Sequence, residues 1–267
     1  MSRRSLWVLL PVLLLLAFAS IQCSNNKLRA KMTAEERLQH AKELYNKHHY
    51  LDAKTEFQVL VVSGQGSAVA DEAQYYLAQC YYHLKDYVTA AAEFQRLVRM
   101  YPSSQWVDDA QYMIGMCYYK LSPPPGLDQE FTLKAIDAFQ RFLEDFPTSD
   151  LRPEAEKRMA ELRNKLAEKE WKNGELYRKM GYYESALIYY ESVLTDYYDT
   201  PWAERALFQK GRVLEKLKRY ADAVEAYQEF VRRFPKSKLL PKVRQQLAKA
   251  REKLGKQQAT ALGDQGK

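Results

Sequence analysis

The stretch GRVLEKLKRYADAVEAYQEFVRRFP, residues 211–235, decides the fold. A small residue, Gly211, stands twelve positions before Ala223; Tyr220 precedes that Ala by three, Tyr227 follows it by four, and Pro235 closes the stretch. Ala and an aromatic at i and i+4 share one face of a helix. The small residue upstream lets a second helix come close, and Pro ends the unit because it has no N–H for the next helical bond.

Outward from this stretch the same marks recur. Ala53, Ala90, Ala135, Ala186 and Ala223 are each followed four residues later by Phe57, Phe94, Phe139, Tyr190 and Tyr227, at spacings of 37, 45, 51 and 37. Three residues before them lie Tyr50, Tyr87, Thr132, Tyr183 and Tyr220. Twelve before lie Ala41, Ala78, Gly174 and Gly211 in four of the five units, and Pro102, Pro147 and Pro235 close units 2, 3 and 5. A fixed period of this length is the signature of a helical repeat array, and the marks resemble those of the tetratricopeptide repeat (TPR). The fold class expected is all-α: a superhelix of five helical hairpins with a C-terminal capping helix.

The irregular spacings have local explanations. Gly115 and Tyr118 precede a Pro123-Pro124-Pro125-Gly126 loop, so unit 3 carries an insert. From Pro153 to Met180 the only breaker is Gly174, which predicts one helix of about 40 Å at 1.5 Å per residue whose second half serves as the first helix of unit 4. Thr33-x-x-Glu36 reads as a capping box opening the first helix. Pro241 starts the capping helix, needed because the last repeat has no neighbour to cover its apolar face.

Ahead of the repeats, Arg3-Arg4, the apolar run Leu6–Ala19 and Ser20-Ile21-Gln22-Cys23 follow the order of an export signal. The run is too short for a bilayer-spanning helix, which needs about 20 residues. Cys23 resembles the acylated Cys of a bacterial lipobox, although Gln22 stands where Gly, Ala or Ser is usual. The organisation expected is therefore 1–22 signal peptide; 23–32 lipidated tether; 33–152 TPR units 1–3; 153–256 long connecting helix, units 4–5 and capping helix; and 257–267 disordered tail.

Composition narrows the function. The 267 residues are 46% hydrophobic and 28% charged, enough apolar material for a core, and 20 Tyr is the anomalous count. Tyr has an apolar body and a polar tip, which suits a half-wet binding surface. Formal charge is +7, and from Arg232 to Lys256 ten Lys or Arg face Glu252 alone. Such a run usually reads as nucleic-acid binding. An exported chain meets no nucleic acid, leaving an acidic partner or an anionic lipid surface. Cys23, Cys80 and Cys117 with four His supply neither a disulfide framework nor a zinc quartet. His48-His49 reads as a solvated turn. No Walker loop, GxGxxG, HExxH, GxSxG or EF-hand loop is present, and the acids are scattered along helix exteriors. No enzyme, metal or cofactor is expected.

The Cys, five repeats, Leu127-Asp128-Gln129 with Thr132, Ala135 and Phe139, Phe146-Pro147-Thr148-Ser149, Arg158, Leu162-Arg163, Leu166-Ala167, Glu170, Tyr177 and Gly181 together resemble the BamD family, the TPR lipoproteins of the outer-membrane β-barrel assembly machine. The resemblance spans essentially the whole chain after the signal. It implies a non-enzymatic subunit, lipid-anchored to the outer membrane on its periplasmic face. That subunit holds the POTRA domains of a BamA-like barrel protein, meets other assembly subunits and engages unfolded outer-membrane proteins. The alternative is a periplasmic TPR adaptor of cell-envelope or division machinery, similar to CpoB. That family, however, carries a coiled coil ahead of its repeats and no lipid-bearing Cys.

In a TPR array the residues three before and four after the small first-helix position point into the concave groove. Here the earlier row is Leu38, Tyr75, Tyr112, Trp171 and Phe208; the later row is Tyr45, Tyr82, Tyr119, Arg178 and Glu215. Tyr45, Tyr75, Tyr82, Tyr112 and Tyr119 are the expected substrate groove. Arg205, Arg212, Lys216, Arg232 and Arg233 are the expected partner interface, since charge complementarity sets register and on-rate.

Overall fold

The computed structural model describes residues 32–64 and 67–264. Residues 1–31, which hold the expected signal, Cys23 and the tether as far as Lys31, lie outside the described residues. Among the described residues there are eleven α-helices and no strand. They group into two compact units, the first ending at Cys117 and the second beginning at Tyr118.

The first unit contains α1 (Ala34–Asn46), α2 (Tyr50–Ser63), α3 (Ala70–His83), α4 (Tyr87–Met100) and α5 (Val107–Leu121) up to Cys117. Thr33 and Glu36 open α1 with the reciprocal bonds of a capping box, 3.2 Å from the Glu36 N–H to Thr33 Oγ1 and 2.9 Å from the Thr33 N–H to Glu36 Oε2. From α1 to α4 each helix packs on the next, and the marker residues fill the seams: Ala41, Ala53, Phe57, Ala78, Ala90 and Phe94 are completely buried.

The second unit contains α6 (Glu130–Asp145), α7 (Arg152–Met180), α8 (Tyr183–Asp196), α9 (Pro201–Lys216), α10 (Tyr220–Arg233) and α11 (Leu240–Asp264), together with the end of α5. The long helix is present as α7, 29 residues with Pro153 in its first turn, where a missing N–H costs nothing. It packs on both α6 and α8. It therefore joins the second helix of the third repeat to the fourth repeat, and the division expected at 152/153 falls inside this unit. The helix α11 runs on to Asp264, past residue 256 where the sequence placed the start of a tail. Gln257-Gln258-Ala259 are good helix formers with no Pro or Asn among them, so the existing helix propagates at little cost.

The insert in unit 3 is ordered from inside. Gln129, 5% exposed, donates through Nε2 to the carbonyls of Pro124 and Leu127 at 2.9 and 3.0 Å and accepts from the Thr132 hydroxyl at 2.7 Å. Lys165 and Lys169 of α7 donate to Ser122 Oγ at 2.7 Å and to the Leu127 carbonyl at 2.9 Å.

Two backbone devices recur with the repeat. Five residues before the marker Ala, the turn inside four of the five hairpins adopts a left-handed conformation: His48 (φ 61°), Lys85 (φ 66°), Gly181 (φ 85°) and Lys218 (φ 59°). Only unit 4 uses Gly there. The second device is the close approach of the paired helices. A Cβ on Gly174 would lie 2.6 Å from Tyr190 Cε1, and one on Gly211 would lie 2.8 Å from Tyr227 Cδ1 and still nearer to Cε1. Ala41 and Ala78 hold the same position in units 1 and 2, whose second-helix aromatic is Phe; Gly holds it in units 4 and 5, where that aromatic is Tyr, and Gly115 holds it in unit 3 opposite Phe139.

Cys80 and Cys117 are free and fully buried. Burial pushes both thiols up to about 12.

Two outcomes follow in stability and reactivity. In urea melts followed by circular dichroism, Gly211→Ala should cost about 1–3 kcal/mol, because the methyl meets a buried ring that cannot retreat. Gly181→Ala, where a Cβ meets nothing within 4 Å, should cost only the left-handed penalty of about 1 kcal/mol. Equal costs would show that ring contact is not the constraint. In a form beginning at Ser24, the two thiols should resist an aromatic disulfide reagent at pH 8, where thiolate is on the order of one part in ten thousand. Urea should release both; rapid reaction of the native chain would contradict their burial.

Candidate functional site

The expected groove residues separate into two kinds. In the earlier row, Leu38, Tyr75, Tyr112 and Phe208 are closed over, with Tyr75 and Tyr112 at 9% exposure. The later row is half-buried: Tyr45, Tyr82 and Tyr119 each keep part of the ring in solvent. Helix geometry explains the split. The earlier residue lies inside its helix, whereas Tyr45, Tyr82 and Tyr119 stand in the last turn of theirs.

In the first unit the open tyrosines sit in an aromatic sheet that continues into the core. Tyr45 meets Tyr50, Tyr76 and His83 edge-on at 5.4, 5.2 and 5.6 Å, and its hydroxyl lies 3.0 Å from His83 Nε2. His83 stacks flat on Tyr50 at 4.4 Å. Tyr82 meets His83 and Tyr87 edge-on at 5.9 and 5.3 Å. Deeper in, Tyr75 stacks on Trp106 at 4.6 Å and meets Phe94 at 5.9 Å. Burial holds the Tyr45 phenol far above its ordinary value, and burial with Asp109 close by pushes Tyr75 up to about 12. Both phenols stay neutral at any physiological pH, and the Tyr75 hydroxyl accepts from Gln79 at 2.8 Å. Burial, then the neighbouring His48, lowers the pKa of His83, which favours a neutral ring able to stack and to exchange a hydrogen bond with Tyr45. Neither His83 nor Trp106 was read from the sequence, since neither falls on a repeat position.

Tyr119 belongs to the second unit, where its hydroxyl donates to Glu161 Oε2 at 2.7 Å and the Arg158 guanidinium lies 5.1 Å from its ring. The Glu161 bond is also the main reason the Tyr119 phenol is raised. Its tip is thus committed to α7 while its ring remains half open.

The other later-row positions of this unit hold ions. Arg178 makes two bonds to Glu175, at 3.1 and 2.8 Å, and Tyr190 donates to the same carboxylate at 2.7 Å. Burial opposes the Glu175 charge, but the bonds from Arg178 and Tyr190 outweigh it and lower its pKa. Glu215 repeats the theme: it accepts from Tyr227 at 2.8 Å and from Lys253 of α11 at 2.9 Å. One carboxylate therefore ties α9, α10 and α11 together.

The expected interface cations are exposed. Arg205 lies over Trp202 at 4.7 Å and beside Trp171 at 5.9 Å, with the two indoles 5.0 Å apart. Arg212 sits 5.8 Å from the Phe208 ring, as does Lys242 at 5.5 Å from the other side of the hairpin seam. Arg212 and Lys216 also line a recess with Glu215, Gln246 and Lys253. Arg233 is set apart, paired with Glu229 at 2.8 Å and 5.5 Å over Phe234, and Arg232 projects beside it. Aromatic seats of this kind hold a guanidinium in place for about 0.5–1 kcal/mol at an exposed site. The arrangement can bind acidic surface. Among the described residues no group of three or more metal-ligating side chains comes together, and no helix is long and apolar enough to cross a membrane.

Among curated proteins, none matches this chain. Among solved structures, the chain is similar to a TPR2AB-domain:pHSP90 complex of yeast Sti1, at 18% identity, TM-score 0.42, with 86% of this chain and 87% of that one covered. It is also similar to a thermophilic TPR protein of Thermus thermophilus, at 17% identity, TM-score 0.36, with 82% and 98% covered. A tetratricopeptide-repeat family model matches residues 205–237, over the very hairpin that Gly211 and Tyr227 close. A second model, YfiO, described as outer membrane lipoprotein, matches residues 30–220. That match takes in the inserted third repeat and the long α7, and with them most of the chain: it belongs to the YfiO family of outer membrane lipoproteins, the BamD family that its sequence resembles.

Proposed function

We propose that this lipoprotein is a scaffold of β-barrel assembly, anchored by acylated Cys23 on the periplasmic face of the outer membrane. Its second unit docks the POTRA domains of a BamA-like barrel protein. Its half-buried tyrosines receive unfolded outer-membrane proteins. The observation that carries the reading is Arg205, an exposed guanidinium seated on Trp202 and Trp171 in a family defined as outer membrane lipoproteins. A cation held on a rigid apolar platform loses little side-chain entropy on meeting a carboxylate, which suits a permanent scaffold contact. Arg212 and Lys216 extend the positive surface along α9, and Arg232 and Arg233 supply charge for encounter rather than for a buried contact.

The tyrosine surface suits the opposite demand. An unfolded barrel strand alternates apolar and polar side chains every ~3.3 Å. Tyr45 and Tyr82 offer ring faces and edges to the one kind and hydroxyl-bearing rims to the other, while Tyr119, its hydroxyl held by Glu161, offers its ring alone. Aromatic contacts contribute about 0.5–1.5 kcal/mol each beyond area burial, so two or three give a grip weak enough to release. Tyr75 and Tyr112, at 9% exposure, belong to the packed layer of the same helices.

Three measurements bear on this. Cys23→Ala should move the protein out of washed outer-membrane fractions, since protein contacts alone would then hold it; retention after high-salt washing would remove lipidation from the reading. Arg205→Glu with Arg212→Glu should weaken binding of a purified POTRA-domain fragment at least tenfold, about 1.4 kcal/mol, with helicity unchanged. Unchanged affinity would take the scaffold contact off α9. Finally, Tyr45→Ala, Tyr82→Ala and Tyr119→Ala combined should abolish binding of a peptide copying the aromatic-ended C-terminal strand of a barrel protein. If the folded triple variant binds as well as the parent, those tyrosines are packing alone.

A further inference from the structure

The outer faces of the hairpins are not alike, and the difference lies at one repeat position. Three residues after the small first-helix residue, unit 2 has Tyr81 and unit 5 has Leu214. Tyr81 is clasped by the preceding second helix: Gln58 donates to its hydroxyl at 2.9 Å and Lys54 lies 5.3 Å over its ring. Tyr81 is thereby held against α2 on that face of the hairpin. At the corresponding place between α8 and α10, Leu214 is shorter and 2% exposed. What remains is an open groove of about 420 Å³, floored by Leu187, Leu214 and Ala226, with Ile188 on its lip. Ile188 is 70% exposed, the second most exposed large apolar side chain among the described residues after Val62.

The rim has a sign opposite to that of the chain. Glu184, Glu191, Asp222, Glu225 and Glu229 surround the groove against Lys210 and Arg219, while the whole chain carries +7. The two cations are already engaged: Lys210 with Glu191 at 2.8 Å, and Arg219 with Asp222 at 2.7 Å and Glu184 at 3.6 Å. Arg233 adds a third cation from outside the lining, paired with Glu229 at 2.8 Å; five carboxylates against three cations still leave the groove negative around an apolar floor. The basic faces of α9 and α11 cannot serve the same ligand, since they attract the opposite charge.

We propose that the α8–α10 groove is a second docking site, separate from the α9 cations, and that it receives a Lys/Arg-flanked apolar segment of a partner protein. A volume of this size takes one or two large side chains rather than a whole helix. The occupant therefore inserts an apolar anchor against Leu214 and Ile188 and sets its basic residues on the Glu184 and Glu225 side. The helical-hairpin scaffold gives this mode its geometry, since anchors spaced i and i+4 on a helix fit between two parallel ridges. The unit then carries two faces of opposite sign, one for an acidic partner and one for a basic segment, which lets a single repeat pair bridge two subunits.

The test uses the soluble full repeat region from Ser24 and two fluorescein-labelled model peptides of 14 residues, each with a Leu stripe, one with Lys on its polar face and one with Glu. Non-specific attraction to a chain of net positive charge favours the Glu peptide. Preferential binding of the Lys peptide, weakened at least tenfold by Leu214→Tyr, which refills the groove as Tyr81 does, is the expected result. Ile188→Ser and Glu184→Gln with Glu225→Gln are surface changes that keep the fold, and each should weaken the Lys peptide at least threefold. Preference for the Glu peptide, or a Lys-peptide affinity untouched by all of these variants, overturns the proposal. So does a concentration-dependent dimer in sedimentation that Leu214→Tyr dissolves, because the groove would then belong to a second copy of this chain.

Discussion

The last two repeats hang on a phenol ring lying against a glycine. Tyr190 over Gly174 and Tyr227 over Gly211 bring the paired helices closer than any side chain on the first helix would permit. At that distance each hydroxyl reaches a carboxylate on the facing helix, Glu175 or Glu215. The aromatic is completely buried in both cases. A buried hydroxyl left without an acceptor costs about 1–3 kcal/mol, so the ring, the glycine and the acid are three parts of one interaction. In the first two repeats Phe stands at that place with no hydroxyl to satisfy, and Ala lies opposite.

The same acids then organise the functional surface. Glu215 accepts from both Tyr227 and Lys253, so the core bond and the contact to the capping helix share one carboxylate. With α11 drawn onto α9, Lys253 and Gln246 come beside Arg212 and Lys216. The positive recess is a by-product of how the last repeat is capped. In the first unit, where Phe replaces Tyr in the seam, polar tips are spent instead on the open ends of the helices. There Tyr45, Tyr50 and His83 hold one another through stacking and hydrogen bonds. One residue type thus serves two ends: seam lock in the second unit, exposed platform in the first.

The two faces of the last repeats answer different chemical demands. Arg205 is positioned by indoles and Arg212 by Phe208, so these charges are presented on rigid supports. The outer groove instead pairs its few cations internally and leaves carboxylates around an apolar floor. A helical-hairpin array exposes first helices on one side and second helices on the other, which gives a scaffold protein two independent surfaces per repeat pair without any change of fold.

Much was legible in the chain alone, because each repeat mark is a local rule about a helix face. Small residue, aromatic at i+4 and closing Pro act within a hairpin, so reading them outward from Gly211 to Pro235 placed the repeats and the long α7. The family resemblance rested on the same legible features, the insert and α7. Other properties depend on which side chains meet across helices, and periodicity is silent about those. It could not tell that Tyr75 and Tyr112 would be covered while Tyr45, Tyr82 and Tyr119 stayed half open, since neighbouring hairpins decide which turn is roofed. Nor could it find His83 under Tyr45, Trp106 under Tyr75, or the groove left where Leu214 stands in the place Tyr81 fills in unit 2. The extension of α11 to Asp264 belongs to the same class: composition marked the segment as polar, but a helix already nucleated against α10 carries its successors along, and only the packed structure contains that nucleus.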